Sequence, residues 1–245
     1  MKFILILLFA IHVTAYDAFI KPNQLHEILQ NKNLILLDAS EYSLYEKSHI
    51  SNALHADISK FTKNKYTRPS TDFSKKVENE MCKLGINKDS HVVIYSRTNS
   101  IDYLNATYLA STFLQHGFEN VSILDGGYMA WVFKYNNNVT SKESKPLSNG
   151  TFKVTYNPQI LVDEESLKDI TDTTLAKSLK DIFFDDLTLR SELELKKLFS
   201  NELALEKERH NAIYSDTFLT AWANWYILYK MFDLKNMKIY KSVTE

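Results

Sequence analysis

The sequence predicts an α/β fold in two unequal parts. Each is a small parallel sheet with helices on both faces, and the second is shortened. Three observations carry this expectation. Short apolar runs alternate with amphipathic stretches from residue 34 to residue 131, the pattern of strand–helix–strand units. The runs Leu34–Leu37 and Val92–Tyr95 are continuously apolar, as strands buried on both faces require. A strand–helix–strand ending also occurs twice, at Val92–Leu124 and at Ala212–Tyr240.

The elements follow in chain order. Met1–Ala15 has a positive start at Lys2, an apolar run Phe3–Val13 broken by His12, and small residues before Tyr16. That layout predicts a signal peptide over residues 1–15. The run falls short of the roughly 20 residues that span a bilayer, and no later run is long enough to anchor the mature chain. Pro22–Lys32 is expected as a helix with Leu25, Ile28 and Leu29 on one face. Leu34–Leu37 is a strand ending in Asp38, and Glu41–Lys47 a short helix. Phe73–Leu84 has Phe73, Val77, Met81 and Leu84 on one stripe, and Gly85 stops it. His91–Tyr95 is a strand, Ile101–His116 a helix closed by Gly117, and Val121–Leu124 a strand. Gly126-Gly127 then turns the chain into a short helix through Trp131.

The expected division is a first domain over 19–135, a polar linker over 136–150 and a second domain over 151–245. In the second, Phe152–Thr155 is a strand candidate, with helices near Ile160–Ile170 and Ser191–Leu205. Ala212–Tyr214 and Met237–Tyr240 are strands that flank a helix, Thr217–Phe232, rich in Trp222, Trp225 and Tyr226. Core packing is the expected use of those aromatics. A partner surface is the alternative if the short domain leaves them bare.

Composition narrows the functional classes. The chain has 245 residues, 44% apolar and 24% charged, with a formal net charge of −1. Its lysines are dispersed, so neither a nucleic acid nor, after signal cleavage, a membrane surface is expected as partner. His49, His55, His91 and His116 lack ligand spacing, so neither metal nor cofactor is expected. A single cysteine, Cys82, excludes an internal disulfide. Asn105, Asn120, Asn138 and Asn149 begin glycosylation sequons, and Asn138 and Asn149, in polar sequence, are the expected sites.

Several short motifs in order give a more specific signal. They are Leu37-Asp38-Ala39-Ser40, His49-Ile50-Ser51-Asn52-Ala53 with Asp57-Ile58, Pro69 to Phe73, and Leu84-Gly85-Ile86. Val92-Val93-Ile94-Tyr95 and Leu124-Asp125-Gly126-Gly127-Tyr128 with Trp131 complete the series. In order and spacing this part resembles the first domain of two-domain rhodaneses, the thiosulfate and 3-mercaptopyruvate sulfurtransferases. Ser51-Asn52 stands where that family usually has Pro-Gly. The later part is similar to the family's second domain more weakly. Tyr214 to Ala221 falls on the catalytic loop, where the family has a cysteine, glycine-bearing residues and then Thr-Ala. The second Asp-X-Arg and Gly-His-Ile-Pro-Gly-Ala motifs have no counterpart. Tyr108 falls where the family offers an arginine to its anionic substrate.

The resemblance implies a reaction in which a cysteine thiolate takes up a sulfane sulfur and hands it to a thiol or cyanide. The loop here is Ser215, Asp216, Thr217, Phe218, Leu219 and Thr220, and Ser96 holds the corresponding place in the first domain. A serine hydroxyl is far less acidic than a thiol and forms no sulfur–sulfur carrier. All five glycines lie at or before Gly150, so the second loop lacks the residue that lets backbone wrap an anion. The leading expectation is therefore a secreted or secretory-lumen protein that has lost sulfur transfer and binds a small anion or a protein partner. A mitochondrial address, as in family members, is the alternative location. Sulfur transfer through Cys82 or a partner's thiol, and a secreted interaction module, are the competing functions. A serine hydrolase built on Ser215 and His210 lacks a Gly-X-Ser-X-Gly elbow.

Overall fold

A computed structural model of the chain describes residues 17–62, 71–97, 100–205 and 211–240. The expected signal peptide and His210 lie outside them. The first half runs through β1 (Phe19–Ile20), α1 (Pro22–Ile28), β2 (Leu34–Asp38), α2 (Tyr42–Tyr45), β3 (His49–Ile50) and β4 (Leu54–His55). It continues through α3 (Ile58–Phe61), α4 (Thr71–Lys83), β5 (His91–Tyr95), α5 (Ser100–Gln115), β6 (Val121–Leu124) and α6 (Gly127–Tyr135). Five strands form one parallel sheet in the order β1-β6-β5-β2-β4.

Side chains alternate across a strand, so neighbours serve opposite faces. Leu37, Val92 and Ile94 join Val77, Met81, Leu109 and Phe113 on the α4–α5 face. Leu36, Val93 and Tyr95 join Leu25, Tyr128 and Trp131 on the α1–α6 face. Both faces of β5 are thus covered, which explains its continuous apolar run Val92–Tyr95.

The second half contains β7 (Val139–Thr140), β8 (Leu161–Val162), β9 (Asp172–Leu175), α7 (Leu179–Ile182), α8 (Glu192–Leu198) and α9 (Ser200–Leu203). β10 (Asn211–Tyr214), α10 (Phe218–Tyr226) and β11 (Met237–Tyr240) follow. A second parallel sheet has the order β8-β11-β10-β9.

Several expected elements differ from the structure. The helix expected over Ser191–Leu205 is two, α8 and α9, broken at Phe199, and the one expected over Thr217–Phe232 widens into a π-helical turn, Ile227–Met231, after α10. The helix expected over Pro22–Lys32 stops at Ile28, and a turn closes it. Phe152–Thr155 is extended but joins no sheet. Its N–H groups instead bond to the turns that follow α4 and α5, Phe152 donating to Ile86 O at 3.1 Å and Thr155 to His116 O at 3.0 Å. The helix expected near Ile160–Ile170 is two 3₁₀ turns, Pro158–Ile160 and Glu165–Asp169, separated by β8. Within the polar stretch 136–150, β7 pairs antiparallel with β3, so this segment is partly tied to the first half.

Candidate functional site

Parallel α/β sheets place their chemistry at the carboxyl ends of the strands, where loops turn into helices. Two such ends carry the serines singled out above. Ser96 follows β5 and is fully buried, and its Oγ finds no hydrogen-bond partner among the described residues. Its carbonyl accepts the Tyr128 N–H at 3.0 Å. Gly127, at φ +55°, lies directly against that carbonyl, and a Cβ there would collide with it. The first mouth is therefore filled by the chain's own backbone. Beside it, the Arg97 guanidinium lies 4.0 Å from the centre of the Tyr128 ring, a cation–π contact.

Ser215 follows β10 and is half-buried, while Asp216 and Thr217 are exposed. Three residues separate the strand from α10, which starts at Phe218. Ser215 Oγ accepts the Thr217 N–H at 3.3 Å, and the Thr217 and Thr220 hydroxyls bond each other at 2.6 Å. None of the described residues of this loop has a positive φ. The short turn thus bonds to its own serine. Asp216 adds an exposed carboxylate at its mouth.

The helices that follow the two mouths, α5 and α10, pack on one another. Tyr108 meets the Trp222 ring edge-on at 5.7 Å between centres, and the Ser111 hydroxyl donates to Trp222 O at 3.5 Å. Burial pushes the Tyr108 phenol above its usual range, more than its Thr112 and Thr62 hydroxyl contacts lower it. A neutral aromatic ring therefore occupies the place at which the resemblance put an arginine. Trp222, Trp225 and Tyr226 are all buried, so the aromatic stripe is core and not a bare partner surface.

Cys82 is a free, half-buried thiol on α4, with its Sγ 3.5 Å from Phe152 O. α4 leads into the amino end of β5, whereas Ser96 follows its carboxyl end. The thiol and the first mouth are thus at opposite ends of the sheet, and topology does not bring them together. The histidines are similarly engaged. His49 donates Nδ1–H to Tyr45 O at 2.8 Å, His55 donates Nε2–H to Ser40 O at 2.9 Å, and His116 donates Nδ1–H to Thr112 O at 2.7 Å. Asp38 Oδ1 accepts the Ser40 N–H at 2.9 Å and so caps the turn after β2. Among the described residues, no group of three or more His, Cys, Asp or Glu is placed to hold a metal ion. No helix among them is long and apolar enough to cross a membrane. Asn149 is exposed and Asn138 half-buried.

The sequence of strand ends, the paired sheets and the order of motifs agree with one domain family. Its model, the Rhodanese-like domain, matches residues 21–134. That stretch is a rhodanese-like domain. Among curated relatives, the thiosulfate sulfurtransferase of Cricetulus griseus is 30% identical over 174 residues, covering 64% of this chain and 56% of the relative. The 3-mercaptopyruvate sulfurtransferase of Escherichia coli (strain K12) is 29% identical over 135 residues, 54% of this chain and 43% of the relative. The chain spans about half the length of the curated relatives it matches, 51% and 43% for two of them. The solved structure of YnjE superposes with a TM-score of 0.72 at 18% identity, covering 91% of this chain and 64% of that one. SseA from Escherichia coli superposes at 0.71 and 18% identity, covering 94% of this chain and 100% of that one. At such identity the likeness concerns the fold, which is the two-domain rhodanese fold.

Two features of the structure have no signal in the sequence. Asp125 Oδ1 accepts the Leu189 N–H at 2.7 Å, joining the β6 end of the first sheet to the second half. Burial raises its carboxyl above the usual range, and the Leu189 bond opposes this. Asp125 was visible only as part of a motif, with nothing to indicate a partner 64 residues away. The second is a cavity beside β2 and β4, assembled from segments too far apart in sequence to form a pattern.

Proposed function

We propose that this chain is a rhodanese-like protein that does not transfer sulfur and acts instead by binding. One observation carries the reading: at the mouth of β10 the expected nucleophile is Ser215, and its Oγ accepts an N–H of its own loop. The family reaction needs a thiolate whose electron pair attacks the sulfane sulfur of thiosulfate. A sulfur–sulfur bond forms and sulfite leaves with the old bonding pair. Cyanide then attacks the carried sulfur, thiocyanate departs, and the pair returns to the thiolate. An alcohol near neutral pH offers almost no anion for the first step, and oxygen gives no persulfide for the second. Asp216 further opposes an anionic donor at the loop.

The bound partner under this reading is a small anion or a protein. A secretory location with glycan on Asn149 fits the same reading. The competing use of Cys82 is favoured by its being free and half-exposed.

Full-length protein is expected to give no thiocyanate above a protein-free control from thiosulfate and cyanide. Mass spectrometry after incubation with thiosulfate should find Cys82 without an added sulfur. Turnover that disappears in Cys82→Ala would overturn the proposal.

A further inference from the structure

A cavity of about 620 Å³ opens beside the carboxyl ends of β2 and β4. Cavities of roughly 300–1,000 Å³ are the size that holds small organic ligands. None of its described lining residues comes from the Ser96 or Ser215 loop. Leu54, Leu84 and Pro146 supply apolar surface. Three carboxylates, Glu41, Asp57 and Glu143, reach it from three segments of chain, against one cation, Lys60, among the described lining residues. Tyr42, a residue 51% exposed, lines it too, with its ring edge-on to His55 at 5.2 Å between centres.

The wall that carries Glu143 is built, not incidental. The Ser144 N–H donates to the Tyr45 hydroxyl at 3.2 Å, and that hydroxyl donates to Ala53 O at 3.0 Å. Burial raises the Tyr45 phenol, the Ser144 bond opposes this, and the nearby Glu143 charge adds to the rise. The two Ser59 bonds keep Asp57 below its usual range despite burial, so its carboxyl is charged near neutral pH. His55 spends its Nε2–H on Ser40 O, which leaves Nδ1 as an acceptor in the neutral ring. The described lining of the cavity therefore presents acceptors and an aromatic face, with carboxylates in excess of cations around an apolar floor. Such a surface attracts a cation and repels a carboxylate or sulfonate.

We propose that this cavity binds a small organic amine in its protonated form. The ammonium group faces Glu41, Asp57, Glu143 and the Tyr42 ring, and the apolar body lies on Leu54 and Pro146. This inference does not depend on the loss of sulfur transfer.

The test is calorimetric titration of the full chain with phenethylamine, and with its neutral and anionic counterparts 2-phenylethanol and 3-phenylpropionate. Phenethylamine is expected to bind saturably and more tightly than either, with affinity falling as salt rises. Glu41→Gln and Glu143→Gln each change an exposed side chain outside the core, and each should weaken amine binding about threefold, the scale of one partly screened charge. The proposal is overturned if phenethylamine gives no saturable binding or if 3-phenylpropionate binds as tightly. It is overturned equally if the double variant binds the amine with unchanged affinity. Thiocyanate formation is a separate readout, so failure here is distinguishable from failure of the functional reading above.

Discussion

His91 shows how one buried residue sets a property of the whole chain. It opens β5 with its ring buried, and its Nε2–H donates to Ser122 Oγ at 3.0 Å while the Ser122 hydroxyl donates to Asp17 O. Burial, helped by the Lys230 charge, lowers its pKa to about 4. In the unfolded chain a histidine titrates near 6.5, so between about 6.5 and 4 the unfolded state binds more protons. Stability from this group is full above about pH 6.5 and is lost as pH falls toward 4, by at most about 3 kcal/mol. His116, also lowered by burial, adds in the same direction. Denaturant midpoints measured across that window should fall with acid, and His91→Gln, which keeps a donor for Ser122, should flatten the fall. An unchanged slope would assign the effect elsewhere. Asn52 makes a second point at this scale. It stands where the family usually has glycine and adopts φ +68°, a left-handed conformation that asparagine tolerates better than most residues. The departure from the motif was legible in sequence, and so was the residue type able to keep the turn.

Helix α10 is the element on which the two halves depend. Its Trp222 is 2% exposed and meets Tyr108 of α5, while Trp225 Nε1–H donates to Met237 O of β11 at 2.8 Å. Truncating a buried tryptophan typically costs about 3–5 kcal/mol, transfer and cavity together. Trp222→Ala is therefore expected to lower the unfolding free energy by that amount, whereas Phe133→Ala, at a 96% exposed site on α6, should barely change it. Equal effects would contradict the packing described here. Helices of this kind were legible because an apolar face at helical spacing survives in sequence. Strands buried on both faces, such as β5, were legible for the parallel reason. β9 was not: three of its four residues are exposed, and it lies at the sheet edge, so burial leaves no pattern. The stretch around Leu161 misled because β8 is two residues long between 3₁₀ turns, and its apolar residues imitate a helix stripe. The serine mouths were legible as the residues that follow apolar strands and precede helices. The cavity was not, since Tyr42, Asp57 and Glu143 share no local spacing.

The molecule as a whole is joined by a continuous core. Residues of the α4–α5 face, such as Val77 and Phe113, belong to the same buried cluster as Trp222, Ile213 and Ile239 of the second half. Polar contacts reinforce this joint. The Tyr226 hydroxyl donates to Ala18 O at 2.7 Å, and Lys230 Nζ donates to Glu119 O at 2.6 Å. The second sheet has four short strands, and its face toward α5 gains cover from the first half, so neither half keeps its buried area alone. Unfolding should therefore be one cooperative transition, even though there are two sheets. The three tryptophans allow a direct test, because Trp131 lies in the first half and Trp222 and Trp225 in the second. Fluorescence of Trp131→Phe reports on the second half, and far-ultraviolet circular dichroism reports on the whole chain. Their denaturant midpoints should coincide within that same variant. A fluorescence transition that precedes the loss of helical signal would mean that the second half unfolds by itself, and that the α5–α10 contact is too weak to couple the two.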